Sequence, residues 1–236
     1  MLIVIGITSF LASLLTLFSG FGLGTILMPV LALFYPVPLA VALTALVHFL
    51  NNIFKLATLY RYINVKVGLQ FGLPALLAAI GGAWLLTTIS FSNKMVGLLL
   101  ILFACLELFH LFKKIKISDK HLWAGGLLSG FFGGLSGHQG AFRSAFLLHT
   151  NLSSQSFIAT NAFIASLVDS SRLLVYGLNL RFLLQELEAS MMITSVLAAF
   201  LGVIIGKHFL KKITIQFIHY LVATMLFALG LLLVFK

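Results

Sequence analysis

Ser136-Gly-His-Gln-Gly-Ala-Phe-Arg143 sits inside a long apolar run, and its reading decides the fold. A weaker twin, Ser19-Gly-Phe-Gly-Leu-Gly-Thr-Ile-Leu-Met-Pro29, lies in the first apolar run. Glycine is a poor helix former, so a cluster of glycines in apolar sequence marks a place where a helix breaks. In hydrocarbon, the amides and carbonyls released by a break find no water. The break must therefore lie within protein or beside a polar cavity. It also creates a new helix start, whose unpaired N–H groups and positive dipole end attract anions. Arg143, just past the second break, adds a permanent cation. These stretches predict an anion site built from Gly20, Gly22, Gly24 and Thr25 on one side and Ser136, Gly137, His138, Gln139, Gly140 and Arg143 on the other.

The surrounding chain of 236 residues is 61% hydrophobic and 8% charged. A soluble domain carries about a quarter charged residues. Nearly all of this chain therefore reads as one transmembrane domain, with the lipid bilayer as its main partner. The net charge of +10 is not a nucleic-acid signature, because the bases sit in short loops between apolar spans. Cys105 is the one cysteine, which excludes an intrachain disulfide. Residues 1–18 carry no charged leader and read as a retained span. No nucleotide-binding motif appears and no cofactor is expected, so transport would run on an ion gradient or the substrate's own gradient.

Apolar runs occupy residues 2–34, 39–60, 67–89, 95–112, 122–149, 155–176, 187–207 and 214–235. The first and fifth hold the glycine breaks and exceed the ~20 residues that one crossing needs. Each reads as two half-length pieces. The halves of the chain also match in order. Ser19-Gly20 aligns with Ser136-Gly137, Ala42-Leu43-Thr44 with Ile158-Ala159-Thr160, Tyr60 with Tyr176, and Leu77 to Gly81 with Leu197 to Leu201.

Charge orients these copies. If all eight runs cross, eight loop bases fall inside and four outside. If the two broken runs fold back as hairpins, the split is nine to three, with Arg61, Lys66, Lys113, Lys114, Lys116, Lys120, Lys207, Lys211 and Lys212 inside. The hairpin arrangement fits the positive-inside rule better. The predicted fold is an all-α polytopic membrane protein of two inverted repeats, 1–118 and 119–236. Each is a broken-helix hairpin followed by three transmembrane helices, an arrangement that places substrate between the breaks at mid-membrane.

Polar residues within the spans are costly and should face a cavity or each other. On the second run Thr44, His48, Asn51, Asn52 and Lys55 fall within an arc of roughly 100°, and on the sixth Asn161, Asp169, Arg172 and Tyr176 within roughly 80°. Thr44, His48, Asn51, Asn52 and Asn161 join the predicted substrate site. His48, which titrates near neutrality, and Asp169 are candidates for coupling a proton. The three-residue spacing also predicts an Asp169–Arg172 ion pair.

These motifs resemble the TauE/SafE sulfite exporter family, also called the toluenesulfonate uptake permeases. Gly20-Phe-Gly22-Leu-Gly24-Thr-Ile-Leu-Met-Pro29 looks like the first glycine-rich motif of that family, and Gly133-Gly134-Leu-Ser136-Gly137-His138-Gln139-Gly140-Ala-Phe-Arg143 like the second. Leu77-Ala-Ala-Ile-Gly-Gly82 adds to the likeness, which spans essentially the whole chain. His138, Gln139 and Ala141 depart from the family pattern, and no proline follows Arg143. The resemblance implies a carrier of sulfite, organosulfonates or related small sulfur anions in the bacterial inner membrane, coupled to a proton or sodium ion.

Two other classes fit less well. Gly134-Leu-Ser136-Gly137 matches the Gly-x-Ser-Gly pattern of rhomboid intramembrane proteases, and His48-x-x-x-Asn52 echoes their oxyanion side. Such a serine needs a base within hydrogen-bond reach. His138 on a continuing helix would point elsewhere, and the duplicate Ser19-Gly20 argues for a structural break. A channel needs a ring of like charges that the sequence lacks. The hairpin arrangement is testable by accessibility labelling in a Cys105→Ala background. Lys211→Cys should react from the cytoplasm and Arg181→Cys from outside; eight full crossings would exchange the two results.

Overall fold

A computed structural model describes residues 1–19, 23–89, 92–108, 119–179, 188–209 and 215–235, which are helical apart from short turns. In chain order the helices are α1 (Leu2–Ser19), α2 (Gly24–Ala32), α3 (Val37–Leu59), α4 (Val65–Thr88), α5 (Asn93–Leu108), α6 (Leu122–Ser136), α7 (Gly140–Leu147), α8 (Ser154–Asn179), α9 (Ala189–Phe209) and α10 (Ile215–Phe235). Among the described residues, four apolar stretches are long enough to cross a membrane: Val37–Tyr62, Val65–Thr88, Ser154–Asn179 and Ala189–Gly206. The protein is an all-helical, polytopic membrane protein. Gly20, Gly22 and the loop bases Lys113, Lys114, Lys116, Arg181, Lys211 and Lys212 lie outside the described residues.

Both long runs divide, but unequally. Instead of two half-length pieces, each gives a long arm of 18 or 15 residues and a short arm of 9 or 8. The short helices α2 and α7 reach only ~12–14 Å at 1.5 Å per residue, far less than the ~30 Å of hydrocarbon. Every residue in both is buried. Gly137 ends α6 in the left-handed region at φ 80°, with its N–H bonded to Gly133 O at 3.0 Å. That conformation strains any residue with a β-carbon, so the sequence stops the helix there.

Helix starts elsewhere follow local chemistry. Pro36 precedes α3 and Pro38 lies in its first turn, where a missing N–H costs nothing. Asn64 caps α4 by accepting from Val67 N at 3.1 Å. Along α4, Leu69, Leu73, Leu77, Ile80 and Trp84 are exposed at helical spacing, as are Ile193, Leu197, Leu201 and Ile204 along α9. In water such stripes would be a liability; here they face lipid.

Without a hydrophobic driving force between helices, close packing depends on small residues. Gly126, Gly130 and Gly134 bring α6 against the backbone of α4 at Phe71, Ala75 and Ala79. Gly97 and Gly230 do the same between α5 and α10, and Gly202 sets α9 on Phe10 and Ser13 of α1. The aligned Tyr60 and Tyr176 do not share an environment: Tyr60 is exposed just past α3, whereas Tyr176 is buried within α8.

Lys66, Lys120, Thr150 and Asn151 line one cleft of about 450 Å³. The start of α6 and the end of α7 therefore lie at the same end of the bundle as the start of α4. Glu188, just before α9, lies close enough to Tyr35, just after α2, for its charge to be felt there.

A methyl added at Gly130 would run into the Ala75 backbone, whereas Gly81 faces open space. Gly130→Ala should lower stability by about 1–3 kcal/mol, read as a fall in Tm in detergent. Gly81→Ala should leave it level or raise it slightly.

Candidate functional site

α3 and α8 pack against each other, and α7 rests on α6 and α8. Their polar faces meet around one carboxylate. Asp169 is the only acidic residue buried among the described residues. Its Oδ1 accepts from Arg172 Nε at 3.0 Å and from Gln139 Nε2 at 2.9 Å, and Arg172 NH2 lies 2.8 Å away as an ion pair. Its Oδ2 meets His48 Nδ1 at 2.7 Å and, more weakly, Asn52 Nδ2 at 3.5 Å. Gln139 passes the connection on, its Oε1 accepting from Arg143 NH1 at 2.9 Å. His48, Asn52, Gln139, Arg143, Asp169 and Arg172 thus form one buried network across three helices.

The break itself is held from α8. Arg172 NH1 donates to Gly133 O at 3.0 Å, and the Tyr176 hydroxyl donates to Gly134 O. Both carbonyls lie in the last turn of α6; Gly133 O also accepts from the Gly137 N–H, so Arg172 is its second donor, whereas Gly134 O takes the Tyr176 hydroxyl. Ser129 Oγ donates to Gln139 O at 2.8 Å across the break. Arg172 and Tyr176 share the polar arc on the sixth run, but their work on main-chain carbonyls has no counterpart in a side-chain pattern. Ser129 and Ser13, which donates to Asn51 Oδ1 at 3.3 Å, carry no signal in the sequence beyond being serine in an apolar run.

The two breaks meet. A β-carbon on Gly24 would lie 3.3 Å from Gly137 O and 3.1 Å from the Thr44 methyl. Among the described residues, several buried donors on α2, α3 and α7 have no hydrogen-bond partner: Thr25 Oγ1, Thr44 Oγ1, Asn51 Nδ2 and Arg143 Nε. Buried polar atoms are nearly always paired, by protein, water or ligand, so these donors have hydrogen-bonding capacity that the described residues do not use. Gly140 begins α7 and Gly24 begins α2, as the glycine pattern implies. Asn161 is buried on α8, roughly two turns before Asp169.

His138 is a correction. Because the helix breaks at Gly137, His138 Nδ1 comes within 3.2 Å of Ser136 Oγ instead of pointing away. Ser136 Oγ, however, gives its proton to Phe132 O at 3.0 Å, the ordinary back-bond of a helical serine. Among the described residues His138 Nε2 has no partner to orient it, and the ring stacks on Phe103 at 5.3 Å. A nucleophile needs a base that takes its proton and a third group that orients that base; neither role is filled. His138 instead helps Phe103, Phe132 and Phe142 lock α7 against α5 and α6. Among the described residues, no three His, Cys, Asp or Glu side chains gather as a metal site.

Removing one member of a buried ion pair leaves an unpaired buried charge, at a cost of about 3–5 kcal/mol. Asp169→Asn should therefore lower stability far more than Tyr176→Phe, which removes one hydrogen bond worth about 1 kcal/mol. Thermal unfolding of the two variants in detergent checks the order.

Comparison with known proteins agrees with this architecture. The family model described as "Sulfite exporter TauE/SafE" matches residues 5–233, nearly the whole chain. No match was found among curated proteins or among solved structures. The match takes in both glycine breaks and every helix that builds the network around Asp169. The chain belongs to the TauE/SafE sulfite exporter family of membrane transporters.

Proposed function

We propose that this protein is a secondary carrier of a small sulfur oxyanion, sulfite or an organosulfonate, held between the two helix breaks. The observation that carries this reading is the approach of Gly24 to Gly137, together with buried donors on α2, α3 and α7 that have no partner among the described residues: Thr25, Thr44, Asn51 and Arg143. A buried guanidinium in the first turn of α7, with an N–H unpaired among the described residues, favours a compact oxyanion at that helix start. The anion would accept from these groups and from the backbone at Gly24 and Gly140. Gln139 and Asn52, already engaged with Asp169 and His48, would position rather than donate.

The mechanism follows from the packing. Exchanging the first five helices for the last five turns α4–α6 packing into α9–α1, α4–α8 into α9–α3, and α2–α3 into α7–α8. It returns α3–α8 and α5–α10 to themselves. Leu77 and Leu197 are exposed and Ala79 and Ala199 buried, which matches the aligned segments. The shared cleft of Lys66, Lys120 and Thr150, and the nearness of Tyr35 to Glu188, support hairpins that return to the side they entered. Residues 1–118 and 119–236 are thus read as inverted repeats that move against each other to expose the anion alternately. His48 and Asp169, 2.7 Å apart, would take up the coupling proton. Its arrival weakens the hold of Asp169 on Gln139, and so on Arg143.

Proteoliposomes loaded with sulfite should release it, and an imposed pH gradient should change the rate. Arg143→Gln should reduce transport by at least about tenfold, the scale set by one charge-assisted hydrogen bond to the anion. His48→Asn should keep downhill exchange and lose the response to the gradient. Folded protein that moves no sulfur anion would remove the proposal.

A further inference from the structure

α4 and α6 pack in parallel. Gly126, Gly130 and Gly134 meet the main chain of Phe71, Ala75 and Ala79 in that order, so both helices start at the same end of the bundle. Their starts form two walls of the cleft of about 450 Å³, with Asn64, Lys66 and Gln70 on one side and Lys120 on the other. Thr150 and Asn151, from the α7–α8 connection, also line it. No acidic residue is among its described lining. Two lysines and two positive helix ends thus face one space, and parallel packing adds the helix dipoles instead of cancelling them. Asn64 spends its Oδ1 on the Val67 N–H, so the donor end of its amide is what it has left to offer.

The surroundings are those of a lipid headgroup. Lys66 and Gln70 are exposed, and the same face of α4 continues at helical spacing through exposed Leu73, Leu77 and Trp84. At the start of α6, Lys120 is followed at the same spacing by exposed Trp123, Leu127 and Phe131. Each face is basic at its end and apolar beyond, which is the division between a phospholipid's headgroup and its chains. Exposed Tyr62 and Trp123 carry amphipathic rings of the kind that settle at headgroup level. The positive-inside count puts Lys66 and Lys120 on the cytoplasmic side whether or not the broken runs cross. That leaflet presents an anionic surface. The seam of α9 on α1 is also parallel, Gly6 meeting Thr194 and Gly202 meeting Phe10. There Glu188, not a lysine, precedes α9, so glycine packing does not itself call for bases at the helix starts.

We propose that this cleft binds the phosphate of an anionic phospholipid from the cytoplasmic leaflet. Lys66 and Lys120 are its charged contacts, and Asn64, Gln70 and Asn151 supply neutral donors. The lipid's chains lie along the apolar face of α4 beyond Gln70. Lys66 belongs to residues 1–118 and Lys120 to 119–236, so one headgroup ties the two halves of the chain together. It does so beside the end of α7, the short helix that carries Arg143. The inference is independent of the carrier reading and holds whatever the protein moves.

The full chain in detergent, stripped of lipid, is titrated with phosphatidylglycerol or with phosphatidylcholine of the same chains, and followed by native mass spectrometry and thermal unfolding. Phosphatidylglycerol should bind at least about tenfold more tightly, equivalent to 1.4 kcal/mol, and should raise Tm more. Lys66→Gln and Lys120→Gln should each weaken its binding by about fivefold, the scale of one base near an anionic surface. Together they should abolish the preference over phosphatidylcholine. Arg61→Gln removes an exposed base at the same end that does not line the cleft, and should leave the preference intact. Equal binding of the two lipids by the wild type overturns the proposal, as does an unchanged preference in the folded double variant. An equal loss in Arg61→Gln also overturns it, because diffuse charge and not the cleft would then hold the lipid. Glycerol 3-phosphate that raises Tm as much as phosphatidylglycerol would identify a soluble phosphate ligand and overturn the lipid. Both lysines are exposed, so the variants should fold; should the double variant not do so, the two single variants decide the matter.

Discussion

A helix interrupted in hydrocarbon leaves carbonyls that no solvent can reach, and the fold here depends on supplying them with donors. Tyr176 does so at Gly134, and Arg172 adds a second donor at Gly133 beside the Gly137 N–H, both from a helix about forty residues further along the chain. Arg172 can serve only because Asp169 fixes its guanidinium, and Asp169 is in turn tied to α3 through His48 and to α7 through Gln139. The break, the ion pair and the three-helix junction are therefore one construction. Disturbing the carboxylate loosens the helix end as well as the network.

Much of this architecture is written in local patterns. The apolar runs predict the long helices to within a few residues, since hydrophobic length is a strong signal in a membrane chain. Glycine places the second break where Gly137 adopts a positive φ. The 3.6-residue period puts His48, Asn51, Asn52 and Lys55 on one face of α3, and that face is buried. The unequal division of the broken runs is not legible, because where a short arm ends depends on what packs over it. Neither is the contact of His48 with Asp169, 121 residues away, since periodicity orders a helix face but does not name its partner. His138 is misplaced for a related reason: helical geometry carried through Ser136 turns its ring away, although the next residue ends the helix.

The interior is built around an imbalance. Among the described residues, short buried helices, glycine contacts and a single buried acid hold together a core with more basic than acidic side chains. Such a core is stable only while water or a ligand can answer the excess. A carrier needs that property, because a pocket satisfied by its own side chains would have no use for cargo. The cost falls on folding, and the packed glycine seams of α4 with α6, α5 with α10 and α1 with α9 help to offset it.

The close approach of Gly24 to Gly137 has a bearing on how such a chain can diverge. A side chain acquired on one strand of the junction wedges against main chain contributed by the other half of the molecule. Two segments 113 positions apart are thus linked, and growth at Gly24 requires the Gly137 carbonyl and the Thr44 methyl to give way. Elsewhere the two halves can vary along their lipid-facing and polar surfaces, but at this point of touch a change in one is felt by the other.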